Sequence, residues 1–224
     1  EHKLRVVAPD VGGGFGSKIN VYNEDIVCSW AAKKINRAIK WVAERSESFL
    51  TDIHGRDHVT HAELAVTSDG KFLGFKNETI ANLGAYARVF GTVTPTYLFG
   101  PCATGVYEIP AAYSNVKAVF TNTAPVDAYR GAGRPEATYT IERLVEKASM
   151  ELGIDKTELR IKNFPTAFPF KQTLVHTVDS GDYVAGMEKA KQMADYKGFE
   201  ARRKESEAKG KLRGIGVTSY FEAC

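Results

Sequence analysis

The sequence predicts an α+β fold in which a mixed β-sheet is layered with helices. Its 224 residues, of which 43% are hydrophobic and 25% charged, suffice for one large globular domain or two small ones. Alternating apolar runs on both sides of an Asp-Gly pair indicate a hairpin, and a later apolar stripe at helical spacing indicates a long helix. Strands and helices do not alternate strictly, which favours α+β over a doubly wound parallel sheet.

The predicted strands are short and concentrate in the first half of the chain. They fall at residues 4–8, 39–43 and 59–66, from Phe72 onward, and at residues 116–120. The Asp69-Gly70 pair between two such runs is a strong signal for a hairpin turn. Residues 87–114 are rich in Gly, Pro, Thr and Tyr and have weak periodicity, which predicts an irregular, partly buried connection.

The predicted helices have identifiable starts and ends. They begin at Asn23, Pro135, Asp155 and Asp182, with a fifth, exposed helix or linker arm at residues 196–209. An apolar stripe at 3.6-residue spacing continues from Ile141 to Leu152, and Gly153 ends that helix. Residues 175–181 are predicted to be extended, and residues 214–224 to form a strand.

The composition excludes several classes of protein and of site. No run of about 18 apolar residues exists, and the first residues lack the pattern of a signal peptide. Thirty Lys+Arg against 27 Asp+Glu leave a net charge of +3, so nothing requires a nucleic-acid partner. The three cysteines lie far apart without a Cys-x-x-Cys pair, which excludes a disulfide framework and a zinc or iron-sulfur site. We therefore expect a cytoplasmic protein that binds neither nucleic acid nor membrane.

A first glycine-rich loop occupies residues 10–18. Such a loop can bring backbone N–H groups close to a phosphate, but both standard nucleotide motifs require glycine at the position of Ser17. The P-loop motif also requires serine or threonine where Ile19 stands. Two interpretations stay open: an anion or cofactor loop of another kind, and a tight strand-to-helix turn in which glycine permits close packing.

A second glycine loop, residues 128–136, lies directly before the predicted long helix. Arg130 and Arg134 flank two glycines there, and the N-terminus of a helix presents free N–H groups and a positive dipole end to an anion. The alternative is that these arginines are solvated or paired with Glu136 and Glu142. Because the chain has two such loops, a single polyanionic ligand shared by both, that is, a cofactor, is the favoured hypothesis.

Two other kinds of site are disfavoured. Cys102, Ser17 and Ser180 are candidate nucleophiles with histidines as candidate bases, but none lies in a known local sequence frame. His54, His58 and His61 suggest a metal site, but His58 and His61 point to opposite faces of an alternating strand.

Five motifs, in this order and spacing, resemble those of the molybdenum hydroxylase family. They are DVGGGFGSK at residues 10–18, ANLGAYARVFG at 81–91, YEIPAAYSNVKAVFTNTAPVDAYRGAGRPEA at 107–137, ELGIDKTELRIKNF at 151–164 and DSGDY at 179–183. Together they cover most of the chain. It resembles the molybdopterin-binding large subunits of xanthine dehydrogenases, aldehyde oxidases and aerobic carbon monoxide dehydrogenases.

The resemblance implies a molybdopterin cofactor that carries molybdenum, extended to the cytosine dinucleotide as in the bacterial and archaeal branches, and held largely by backbone groups. It assigns cofactor contacts to two groups of residues, Gly13, Gly14, Phe15 and Gly16 in the first loop and Ala128, Tyr129, Arg130 and Gly131 in the second. Phe15 and Arg130 are expected to contact the molybdenum ligands through their backbones. Arg56 and Ala132 lie where the family contacts its substrate.

Three departures from the family pattern narrow the implied substrate. Purine-hydroxylating members have glutamate where Ile19 follows the lysine of the first motif, and an aromatic substrate clamp where this chain has Ala132. Carbon monoxide dehydrogenases that contain copper hold it with a cysteine at the position of Gly131. The chain therefore resembles the carbon monoxide dehydrogenase large-subunit homologues that lack this cysteine, and the implied substrate is an aldehyde or an N-heterocycle.

The resemblance also implies an activity and partners. The family oxidises a small-molecule substrate with water as the oxygen source, and electrons leave through iron-sulfur clusters on a small subunit and FAD on a medium subunit. The family's glutamate base, and the glutamine that contacts the second oxo group of the cofactor, have no counterpart motif here, and Glu222 lies in a different family segment. No catalytic residue is therefore expected in this chain. The chain is expected to be part of a molybdopterin-dependent oxidoreductase and to be catalytically inert on its own.

The ends of the sequence predict a piece of a larger protein. The chain lacks an initiator methionine, and both ends fall in apolar runs. We expect residues 1–165 to form a first cofactor-binding domain and residues 166–224 a helical connection and the start of the next segment, with the remaining part of the large subunit as a partner. The alternative function is a non-catalytic scaffold or assembly subunit of such a complex.

Overall fold

A three-stranded mixed sheet organises the fold in the computed structural model, which describes residues 3–222. Strand β1 (His58–Val66) pairs antiparallel with β2 (Phe72–Gly84), and β2 pairs parallel with β3 (Ala111–Phe120). Asn77 at the middle of β2 lies opposite Ala62 of β1 and Ser114 of β3. The sheet and its helices confirm the predicted α+β class.

The predicted hairpin turn between β1 and β2 is confirmed. The Gly70 amide donates to the Thr67 carbonyl oxygen at 2.9 Å, and Gly70 has a φ of 91°, which favours glycine. The Asn163 amide group donates to the Gly70 carbonyl oxygen at 2.8 Å and its oxygen accepts from the Phe72 amide at 2.8 Å. A single buried asparagine therefore fixes the turn and the start of β2.

The helices of the described residues lie before, between and after the strands. They are α1 (Asn23–Ile35), α2 (Arg45–Thr51), α3 (Arg134–Leu152), α4 (Lys156–Lys162), α5 (Tyr183–Met193) and α6 (Phe199–Ala208). As predicted, Gly153 ends α3 with a φ of 66°, Asp155 caps α4 and Asp182 caps α5 through their carboxylates. None of the helices in residues 3–222 combines the length and apolar character that a membrane span requires.

The main hydrophobic core lies between α3, α4 and the start of β2. Ile141 and Val145 of α3 are fully buried and belong to the same cluster as Phe72, Phe75 and Leu159. The predicted apolar stripe of α3 is therefore the face that packs against the sheet. This packing fixes the direction of α3 and the place of its N-terminal loop.

A buried ionic network lies beside this core. The Arg160 side chain is fully buried; its Nε donates to Glu142 at 2.9 Å, and its Nη2 lies 2.8 Å from the same carboxylate. The Tyr107 hydroxyl also donates to Glu142. A second bond from Arg160 Nη2 reaches the Val217 carbonyl oxygen at 2.9 Å. The network thus joins α3 and α4 to the C-terminal segment, which we define as residues 211–222.

Several predicted strands are wrong or incomplete. Residues 4–8 and 39–43 form no strand, because their side chains remain exposed and no described neighbour pairs with them. In 175–181 only Thr177–Val178 pairs, as β5, with β4 (Phe170–Lys171). The described part of 214–224 also lacks a strand, although its residues alternate between half-buried and exposed, while Cys224 lies outside the described residues.

Two further predictions need correction in their bounds. Tyr22, not Asn23, is the N-cap of α1, since Tyr22 has the extended backbone and its amide donates to Asp25 at 2.9 Å. The connection predicted over residues 87–114 contains short helical turns at Thr94–Leu98 and Gly100–Cys102, and its last residues already belong to β3. Residues 196–209 form a short turn and α6, as predicted.

Replacement of Glu142 by alanine should destabilise the protein strongly. Arg160 would keep a buried charge without its nearest carboxylate, which typically costs about 3–5 kcal/mol of unfolding free energy. Glu151 is the matched control, because its ion pair with Lys147 is exposed and 3.6 Å long, so Glu151→Ala should cost less than about 1 kcal/mol. Guanidinium unfolding of both variants is the measurement, and equal losses would contradict the assignment.

Candidate functional site

The first glycine loop is a strained turn that leads into a short helical turn. Gly13 and Gly16 have φ values of 114° and 100°, and Phe15 between them has a φ of 52°, which is uncommon for a residue with a side chain. The Lys18 ammonium group donates to the Gly13 carbonyl oxygen at 2.7 Å and closes the loop. Because residues 4–8 are not a strand, the loop does not follow one, contrary to prediction.

The second glycine loop meets the first one through the backbone. The Arg130 amide donates to the Phe15 carbonyl oxygen at 3.0 Å. A Cβ atom on Gly16 would lie 2.7 Å from the Ala128 carbonyl carbon, closer than real contacts allow, and 3.1 Å from the Tyr129 Cα, which is a very tight contact. Only glycine therefore permits this approach, and the structure brings the two predicted sets of cofactor contacts to one place.

The second loop is held in a left-handed backbone before α3. Gly131 and Gly133 both have φ values of 91°, and Ala132 between them has a φ of 40°. The Ala132 amide donates to the Tyr129 carbonyl oxygen at 2.7 Å, and a Cβ on Gly133 would lie 2.5 Å from the Thr94 carbonyl oxygen. Such strain persists only where the surrounding structure enforces it, and it concentrates at functional sites.

The buried Asp127 side chain connects the two loops by hydrogen bonds. It accepts from the Asn20 amide group at 3.4 Å, from the Phe90 amide at 3.2 Å and from the Ala128 amide at 2.5 Å. Asn20 follows the first loop and Ala128 begins the second. Sequence reasoning missed this residue, because a single aspartate before a loop has no periodic or motif signal of its own.

Arg56 lies against the second loop. Its guanidinium donates to the Arg130 carbonyl oxygen and stacks over the Tyr129 ring at 4.5 Å. Its Nε lies 3.8 Å from Glu136 in the first turn of α3. Arg56 itself has a φ of 60°, so the predicted substrate arginine is both strained and held at the site.

The site is open to solvent and carries positive charge. The Phe15 and Tyr129 side chains are 50% and 48% exposed, and the Arg130 guanidinium lies 5.5 Å from the centre of the Phe15 ring. The positive end of the α3 dipole lies behind the second loop. These groups suit an anionic ligand better than an apolar one.

The C-terminal segment places two further side chains here, Tyr220 and Glu222, which sequence reasoning missed. The Tyr220 hydroxyl lies 3.0 Å from the point where a Cβ on Gly131 would be. It donates to Glu222 at 2.8 Å, and Glu222 lies 3.5 Å from Arg134 Nε. Glu222, which no sequence pattern had placed at the site, therefore lies beside the second loop.

The geometry around Cys102 and the histidines of β1 does not favour a nucleophile or a metal site. Cys102 Sγ lies 3.5 Å from His176 Nε2, but burial raises the pKa of the Cys102 thiol to about 11, so it stays protonated. His58 packs edge-on against Phe99 with ring centres 5.1 Å apart, whereas His61 is exposed on the other face of β1. Within residues 3–222 no three His, Cys, Asp or Glu side chains converge as metal ligands do.

Comparison with known proteins identifies the family. A family model described as the molybdopterin cofactor-binding domain matches residues 1–164. The carbon monoxide dehydrogenase large chain of Hydrogenophaga pseudoflava is 39% identical over 99% of this chain and 28% of its own length. The gamma subunit of the 6-hydroxypseudooxynicotine dehydrogenase complex of Paenarthrobacter nicotinovorans is 36% identical over 97% of this chain and 28% of its own. The chain thus spans just over a quarter of the length of these relatives.

Solved structures share the fold. Quinoline 2-oxidoreductase from Pseudomonas putida 86 superposes with a TM-score of 0.83 and 32% identity over 90% of this chain and 26% of its own. Carbon monoxide dehydrogenase from Oligotropha carboxidovorans gives a TM-score of 0.81 and 34% identity over 92% of this chain and 26% of its own. The chain therefore belongs to the molybdopterin cofactor-binding domain family found in the large subunits of molybdenum hydroxylases.

Proposed function

We propose that this chain forms the two-loop part of the molybdenum cofactor site in the catalytic large subunit of a molybdenum hydroxylase. The observation that carries the proposal is the backbone contact between the glycine loops, in which the Arg130 amide donates to the Phe15 carbonyl oxygen at 3.0 Å. The family match to residues 1–164 supports the same function. Residues 1–165 would form the first cofactor-binding domain, and residues 166–224 the connection and the start of the next segment.

The residues present fit a pterin that carries a metal and phosphates. A Cβ on Gly12 would meet nothing within 4 Å, and one on Gly14 would meet only the Lys18 Cβ at 3.6 Å, so a flat ligand could approach the first loop there without side chains in the way. The cofactor contacts would come from Gly13, Gly14, Phe15, Gly16, Ala128, Tyr129, Arg130 and Gly131. When bound, the cofactor supplies the two-electron redox chemistry of the reaction. The backbones of Phe15 and Arg130 would face its metal ligands.

The residues beside the loops would receive the substrate. Arg56 is restrained by Glu136 and by the Tyr129 ring, so its guanidinium is oriented before a substrate arrives. Ala132 has only a methyl group and leaves space over the second loop, whereas the side of Gly131 is bordered by Pro135 and the Tyr220 hydroxyl. A fixed cation next to that space can stabilise negative charge that develops on a substrate oxygen.

The substrate is proposed to be an aldehyde or an N-heterocycle, oxidised with water as the oxygen source. Two of the similar proteins are named for N-heterocycles, quinoline 2-oxidoreductase and the nicotine 6-hydroxylase large subunit of Paenarthrobacter nicotinovorans. Gly131 has no thiol with which to hold copper, which argues against carbon monoxide despite the likeness to carbon monoxide dehydrogenases.

The partners are proposed from the same likeness. Relatives named as a large chain or as a subunit of a complex support the existence of partner subunits. The family resemblance implies that these are an iron-sulfur small subunit and an FAD medium subunit, and we propose that the complex is cytoplasmic. The remaining part of the large subunit is proposed to cover helix α1, because the Ile26, Val27 and Trp30 side chains of this helix are 57–60% exposed. Such apolar faces are normally covered.

The composition of the native complex tests the proposed function. Molybdenum and acid-released CMP should occur in equal amounts, because the resemblance implies the cytosine dinucleotide form, and copper should be absent, because Gly131 has no thiol to bind it. Metal analysis and nucleotide chromatography of the freshly isolated complex are the measurements. An intact complex without molybdenum would instead favour the non-catalytic scaffold.

Substitution of Arg130 by alanine in the assembled enzyme should weaken cofactor retention and leave the fold unchanged. Loss of one charged hydrogen-bonding group from an anion site lowers affinity roughly tenfold or more, whereas truncation of an exposed side chain changes the unfolding free energy by about 0.5 kcal/mol or less. Arg37→Ala, at an exposed position two residues after the end of α1, is the matched control. Molybdenum content and thermal unfolding are the readouts, and parallel loss of both would show that Arg130 acts only in folding.

The 224-residue chain on its own should not turn over any aldehyde. The family's glutamate base and its glutamine have no counterpart motif here, so no described residue is proposed to be catalytic. Dye reduction with aldehydes by the isolated chain is the assay, with the native complex as the positive control. Turnover by the isolated chain would contradict this expectation.

A further inference from the structure

The C-terminal segment presents a polar face to the second loop. From Ile215 to Glu222 its residues alternate between half-buried and exposed positions, as in an extended chain. Tyr220 and Glu222 therefore share one face, and Phe221 between them points into the hydrophobic clusters. Because Phe221 is anchored there and packs on the His176 ring at 5.5 Å, the two polar side chains have a defined direction.

The segment is fixed at two further points. Arg160 donates to the Val217 carbonyl oxygen at 2.9 Å, and Arg160 is itself held by Glu142. At the other end Glu222 lies 3.5 Å from Arg134 Nε, at the start of α3. Tyr220 is thus carried by a segment that is tied to the core on one side and to the second loop on the other.

The Tyr220 hydroxyl already donates its proton in a hydrogen bond but can still accept one. It donates to Glu222 at 2.8 Å, so its proton is engaged and its lone pairs remain available. Partial burial and the hydrogen bond to Glu222 raise the pKa of Tyr220 to about 12, so the group stays a neutral phenol at physiological pH. Its ring is 47% exposed and remains accessible to a small molecule.

The Tyr220 hydroxyl can lie against the second loop only because Gly131 has no side chain. A Cβ there would lie 3.0 Å from the Tyr220 oxygen and 2.5 Å from Pro135 Cγ, so a larger residue would push the phenol away. The hydroxyl consequently borders the space over the second loop in which Ala132 and Arg56 would meet the substrate.

We propose that Tyr220 is a specificity-determining residue whose hydroxyl oxygen accepts a hydrogen bond from an N–H group of the substrate, with Glu222 as the positioning residue that orients the hydroxyl. This inference rests on the proposed function and deepens it, since it favours N-heterocycles that carry an N–H over aldehydes, which have no such donor. Arg56 supplies a donor for the substrate oxygen and Tyr220 the acceptor for the adjacent N–H, so together they match a lactam-like edge.

The test is equilibrium binding to the full-length, molybdenum-containing complex without an electron acceptor. The probes are 2-quinolone, which has the N–H, and N-methyl-2-quinolone, which lacks it; titration calorimetry gives both affinities. The wild type should prefer 2-quinolone by roughly tenfold, the value of one net hydrogen bond. Tyr220→Phe should remove most of this preference, whereas the control Tyr113→Phe, an exposed tyrosine on β3, should keep it.

Substitutions of Glu222 separate orientation from simple folding. Glu222→Gln retains an oxygen that can accept from the Tyr220 hydroxyl and should keep the preference, whereas Glu222→Ala should reduce it. The two probes differ by one methyl group, so the ratio of their affinities reports on the Tyr220 hydroxyl and not on folding. If Glu222 had only a structural role, its substitutions would leave this ratio unchanged. Molybdenum content, measured on every variant, verifies that the site is assembled.

The outcomes distinguish this inference from the proposed function. Equal binding of the two probes by the wild type, failure to bind either, or an undiminished preference in Tyr220→Phe would overturn the role of Tyr220. If molybdenum and CMP are present in those samples, the proposed function stands. A wild-type complex without molybdenum would overturn the proposed function itself.

Discussion

The close approach of two loop backbones is the constraint on which the site depends. Phe15 and Arg130 are far apart in the sequence, and their hydrogen bond forms only because Gly16 has no side chain to separate the loops. Asp127 adds side-chain hydrogen bonds to both sides of the contact. A site built from backbone groups in this way tolerates little change in position, which explains why its residues occupy strained φ values.

The same constraint links the site to the core. Helix α3 carries the second loop at its N-terminus and Glu142 at its centre, so the buried pair with Arg160 fixes the helix that positions the loop. Arg160 also holds Val217, and the chain continues from there to Tyr220 beside Gly131. Stability and site geometry therefore share one set of buried contacts, although the pair itself is not at the site.

Local patterns predicted the elements whose determinants lie within a few residues. The Asp69-Gly70 hairpin, the stripe and end of α3 and the caps Asp155 and Asp182 all match the structure, because a turn or a cap depends on adjacent backbone groups. The strand predictions at residues 4–8 and 39–43 failed because a strand, unlike a turn or a cap, depends on residues that are distant in the sequence. An apolar run becomes a strand only when a neighbour pairs with it, and none of the described residues does so.

The sequence by itself indicated the family, since the order and spacing of its five motifs resemble those of molybdenum hydroxylases, and two of these motifs contain the loops that the structure brings together. Tertiary structure decided the rest: that the loops touch, that Arg56 stacks on Tyr129, and that Glu222 turns toward Arg134. These contacts join residues from distant parts of the chain. Their geometry depends on how α3 packs on the sheet and on where the buried Arg160 holds the C-terminal segment, which no local sequence pattern records.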